Sequence, residues 1–109
     1  MTAPVNPARG EVALVIDGRA RRMRLTLGAL AELEARLGAG SLVALAERFE
    51  QGTVSAEELI ALLSAGLGGA GEPVDEEALR GAEIEGGAVG ALKAGLALIA
   101  AAFAVPEGA

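Results

Sequence analysis

The sequence predicts an α+β domain in which an N-terminal β-hairpin packs on a bundle of about four to five helices. Three observations predict it. Asp17-Gly18 separates two short β-rich runs, apolar residues then recur at spacings of three and four from Leu27 to Phe103, and glycines and cap-forming residues cut that second region into segments of helical length. Composition sets the material of the core. Hydrophobic residues make up 52% of the chain and aromatic ones 2%, so Ala, Leu, Val and Ile must fill the interior, with Phe49 and Phe103 as its only rings.

Residues 1–9, with Pro4 and Pro7, read as a flexible lead-in, residues 10–105 as one domain and residues 106–109 as a tail. Asp-Gly takes the positive φ angles of a two-residue hairpin turn, and such a turn fixes the register. Ile16 then faces Arg19, Leu14 faces Arg21, Val12 faces Met23 and Glu11 faces Arg24. Val12, Leu14, Ile16, Met23 and Leu25 share one face that needs cover. The nearest cover is the first helix, capped by Thr26 and ended by Gly38, with Leu27, Leu30, Leu33 and Leu37 inward and Glu32 pairing with Arg36 outside.

Ser41 is the expected cap of a second helix that places Leu42, Leu45 and Phe49 on one side and closes at Gln51-Gly52. Ser55-Ala56-Glu57-Glu58 fits a capping box and opens a third helix through Leu59, Ile60, Leu62, Leu63 and Leu67. The run from Gly66 to Pro73 reads as a loop. Asp75-Glu76-Glu77 then starts a short fourth helix through Leu79 and Ile84, and Gly86-Gly87 ends it. The last helix runs through Ala88 to Val105, with Lys93 as its only charge, and is stopped by Pro106.

Several function classes are disfavoured. There is no Cys and no His, so thiolate chemistry, the usual neutral-pH general base and the commonest metal ligand are missing, and Ser41, Ser55 and Ser64 have no base to activate them. An enzyme is not expected. A net charge of −6 speaks against nucleic acid, which is bound largely by neutralising phosphates with Lys and Arg. Gly66-Leu67-Gly68-Gly69-Ala70-Gly71 matches G-x-G-x-x-G, but it follows a helix and runs into Glu72-Pro73, whereas the nucleotide fingerprint follows a strand and opens a helix. Glu72, Asp75, Glu76 and Glu77 lack the ligand spacing of a calcium loop. No small-molecule substrate, cofactor or metal is therefore expected. From Ala94 to Val105 there are twelve uncharged residues, short of the roughly 20 that span a bilayer. No signal peptide is evident at the N-terminus, and a cytoplasmic location is expected.

Two surfaces are candidates for contact. Arg19, Arg21, Arg22 and Arg24 form the only basic cluster, read either as a solvated edge that discourages strand-to-strand aggregation or as a docking patch for an acidic partner. On the last helix, Val89, Leu92, Leu96, Ile99 and Phe103 make a seam of large side chains beside a flatter stripe of Gly87, Ala91, Gly95, Leu98 and Ala102. The large seam is expected inward, with Ala91, Gly95, Leu98 and Ala102 left for a second copy or another protein. The alternative is a helix buried all round.

The chain resembles a known family in the stretch from Asn6 to Phe103. Its most specific pieces are Asn6-Pro7 with Arg9-Gly10-Glu11, and the run Leu25-Thr26-Leu27-Gly28-Ala29-Leu30-Ala31-Glu32-Leu33-Glu34. These are similar to the small tail assembly chaperones of gene transfer agents and phages. The resemblance implies a protein without catalytic residues that holds the tape-measure protein or tail-tube subunits until they polymerise. A structural tail component, such as a tube or head–tail connection subunit, is the alternative.

Overall fold

Strand β1, Val12–Ile16, and strand β2, Arg19–Met23, form an antiparallel hairpin, and five helices follow it: α1, Leu27–Leu37; α2, Ser41–Gln51; α3, Ala56–Gly69; α4, Glu76–Gly81; and α5, Gly87–Phe103. The structure is a computed structural model that describes residues 5–6 and 9–103. Most of the expected lead-in, the stop at Pro106 and the tail lie outside the described residues.

The turn forms as its dipeptide requires, with φ of 50° at Asp17 and 79° at Gly18, both left-handed. Register follows: Ile16 pairs with Arg19, Leu14 with Arg21 and Val12 with Met23, and the shared face buries Leu14, Ile16 and Met23. Its cover differs from the expectation. β2 lies on α3 and β1 on α5, whereas α1 packs mainly on α3 and α2. Leu27, expected to face inward, is accordingly 87% exposed. Arg36 bonds Glu57 and Glu76 across to α3 and α4 instead of Glu32 on its own helix.

Both edges of the hairpin are partly covered. Outside β1, the Asp17 N–H donates to the Glu83 carbonyl at 2.8 Å and the Glu85 N–H to the Val15 carbonyl at 3.1 Å, while Ile84 bridges Ile16. Ile84 is therefore a strand partner and not part of the fourth helix, which stops at Gly81. Outside β2, the Arg22 N–H donates to Glu72 Oε2 at 2.9 Å and the Arg24 N–H to the Gly66 carbonyl at 2.8 Å.

Helix α3 is the central element, touching β2, α1, α4 and α5 and burying Ala61, Leu62, Leu63, Ala65, Gly66 and Leu67. Its start is the full capping box: Ser55 Oγ accepts from the Glu58 N–H at 3.1 Å, and Glu58 Oε1 from the Ser55 N–H at 2.9 Å. Its end corrects the loop expected from Gly66. The helix continues to Gly69, although each interior glycine costs about 1 kcal/mol against alanine. Close approach is the reason. A Cβ on Gly69 would stand 2.0 Å from the Arg24 carbonyl oxygen, and one on Gly66 would stand 2.6 Å from Leu98 Cδ2. Helix α2 also departs from its expected cap: Gly40 takes that place at φ 77°, and Ser41 becomes a buried first residue whose hydroxyl has no partner among the described residues.

Candidate functional site

Helix α5 carries four of the six exposed large hydrophobic residues found among the described residues, and its orientation is largely the reverse of the one expected, with Ile99 alone of the large seam lying inward as expected. Ala91, Gly95, Leu98 and Ile99 face the core, whereas Val89, Leu92, Leu96 and Phe103 face out, with Val89 60%, Leu96 52% and Phe103 53% exposed. The reason lies in backbone distance. A Cβ on Gly95 would fall 2.8 Å from Leu59 Cδ1 and 3.0 Å from Phe49 Cζ, so only a stripe of small residues lets α5 settle against α3 and α2. Of the four α5 residues singled out for contact, Ala91, Gly95 and Leu98 are interior, and Ala102 is exposed. One signal in the sequence pointed the right way. On a helical wheel Lys93 falls beside Val89 and Leu96, and a lysine is rarely buried unpaired, which marks that side as the outer one.

Between this face and the end of α2 lies a groove of about 290 Å³ lined by Phe49, Gly52, Val54, Val89, Leu92, Lys93 and Leu96. No carboxylate lines it. Gly52 helps to open the groove, since it ends α2 in the left-handed conformation at φ 71° and turns the chain back toward Val54.

The basic group is divided. Arg22 Nε pairs with Glu72 Oε2 at 3.0 Å, and the Arg22 backbone N–H, more than its guanidinium, holds the Glu72 carboxyl below the usual carboxylate range. Arg19 is exposed beside the turn. Arg21 is half-buried, and its Nε is enclosed without a hydrogen-bond partner among the described residues. Several of the remaining ion pairs tie helices together, while Arg80 also pairs with Glu76 and Glu77 within α4. Arg80 bonds Glu57 and Arg48 bonds Glu58, and Arg36 joins Glu57 to Glu76. The Arg80 hydrogen bond is the main cause that lowers the Glu57 carboxyl, and Glu57 in return raises the Arg80 guanidinium.

Among the described residues, no group of three or more His, Cys, Asp or Glu is placed to hold a metal ion, and no helix is long and apolar enough to cross a membrane. What this site offers is apolar surface with one cation. The family model described as phage tail tube protein, GTA-gp10, matches residues 9–105. The chain belongs to that family. The match supports a tail-module protein of the gene transfer agent and phage type, the broader part of the resemblance read in the sequence, and its description names the tube rather than a chaperone. No curated protein and no solved structure matches the chain.

Proposed function

We propose that the chain is a structural component of the tail tube of a phage-like particle, joined to its neighbours through helix side chains rather than through strand pairing. The observation that carries this reading is the family match over residues 9–105. The fold is consistent with the mode of contact: both hairpin edges are partly occupied, β1 by the backbone of residues 83–85 and β2 by the Glu72 carboxylate, while α5 leaves large apolar side chains in water. Neither a cofactor nor a catalytic group is needed for such a role, and assembly takes place in the cytoplasm.

The exposed α5 face also favours a second reading, the tail assembly chaperone, which would hold the tape-measure or tail-tube protein on that face and then leave. Quantitative mass spectrometry of purified particles separates the two. A tube component is present in many copies, in fixed ratio to the other tube proteins. A chaperone is scarce or absent in the particle yet co-purifies with the tape-measure or tail-tube protein from assembling cells, and that result would overturn the tube reading.

A further inference from the structure

We propose that the outer face of α5 is a seat for one amphipathic helix of another protein, whose apolar stripe fills the groove against Phe49 and Val54 and whose carboxylate meets Lys93. The seat deepens the reading above, resting on it only in that the occupant belongs to a different protein of the assembly. Val89, Leu92, Leu96 and Phe103 repeat at intervals of three, four and seven residues, the spacing by which one helix grips another. They extend over 15 residues of helix, about 21 Å, or roughly four turns of contact. The groove gives this stripe depth on one side, through Phe49, Gly52 and Val54, so that an incoming leucine is enclosed rather than laid on a flat surface.

Charge decides between occupants. Lys93 is the only lysine in the chain and the only charged residue on α5, and it makes no ion pair with any described residue. With no carboxylate lining the groove, a lysine at its rim attracts a negative group from outside. The α5 of a second copy does not supply one in a face-to-face contact. The α5 of that copy carries Lys93 and no acid, and the approach would bring together two chains of net charge −6. A helix with leucines on one side and a glutamate or aspartate flanking them satisfies both halves of the site.

The test uses the full chain and two designed helical peptides with leucines at the a and d heptad positions, identical but for a central flanking Glu in one and Lys in the other. Binding is followed by fluorescence anisotropy at low salt. The Glu peptide is expected to bind about fivefold tighter. Lys93→Glu reverses that preference, and Leu96→Ser, at an exposed position that leaves the circular dichroism unchanged, weakens both peptides about tenfold. Equal affinity for the two peptides, a preference that survives Lys93→Glu, or no binding of either peptide overturns the proposal. So does a concentration-dependent dimer in sedimentation velocity that Leu96→Ser abolishes, which would make a second copy the occupant. None of these results alters the copy number found in particles, so the seat and the tube role fail separately.

Discussion

Adjacent glycines at the end of α3 should answer the same substitution with opposite signs. A Cβ on Gly68 meets nothing within 4 Å, whereas one on Gly69 would lie 2.0 Å from the Arg24 carbonyl oxygen and 3.1 Å from Ala29 Cβ. Gly68→Ala gains helix propensity, worth up to about 1 kcal/mol in a helix interior and about half of that in the last turn. Gly69→Ala gains the same but arrives roughly 1.5 Å short of an ordinary carbon contact. Overpacking costs about 1–3 kcal/mol, and the upper part of that range applies because the obstructing atom is backbone and cannot rotate away. Retreat of Arg24 also stretches its N–H bond to Gly66, now 2.8 Å. The net expectation is a loss of about 2 kcal/mol for Gly69→Ala and a gain of about 0.5 kcal/mol for Gly68→Ala. At about 5 °C per kcal/mol, thermal melts by circular dichroism should show a fall of about 10 °C and a rise of about 2 °C. Two shifts of the same sign and similar size would refute the seating of the Arg24 segment on α3.

Leu14→Asp places a charge at a position only 2% exposed and should cost several kcal/mol in urea unfolding, whereas Arg22→Ser, which breaks one half-exposed ion pair, should cost about 1 kcal/mol or less. Ser55→Ala removes half of the capping box and should lose about 1 kcal/mol, while Ser41→Ala removes a buried hydroxyl with no partner and should be neutral or stabilising in the same assay. Glu72 has its carboxyl lowered from the ordinary 4.5 in the folded state, so its contribution is complete above pH 4.5 and is lost as pH falls through the folded value. Melting temperature should therefore drop on acidification below about pH 4.5, and less steeply in Glu72→Gln. Ala91→Glu should unfold the chain and Ala102→Glu should leave its circular dichroism intact, since the first residue is interior and the second is not.

The hairpin was legible because its information is local. Asp17-Gly18 names the turn, the turn sets the register and alternation sets the face, so Leu14, Ile16 and Met23 follow without knowledge of anything distant. Thr26, Ser55 and Asp75 were legible as caps for the same reason. What failed was every inference that depended on which neighbour stood opposite. A glycine in a loop and a glycine under a crossing backbone look alike in one dimension, so Gly66 to Gly69 read as a break although the helix runs through them. The two stripes of α5 failed similarly. Both are apolar, and choosing the inward one requires the separation between helices, which Phe49, Leu59 and Gly95 set together. Ile84 was misplaced because its partner, Ile16, is far away in sequence.

That distance has a consequence for how the chain is made. The hairpin closes within about 10 μs once its own residues are free, but Glu83, which donates to the Asp17 side chain, lies 66 residues further along. At about 5–20 residues per second, synthesis needs roughly 3–13 s to supply it. Throughout that interval the outer edge of Val12–Ile16 has no backbone partner, and the strand itself, Val-Ala-Leu-Val-Ile, carries no charge to repel another chain. Exposure to wrong pairing thus begins during synthesis, and it ends only when residues 83–85 are free to reach the strand.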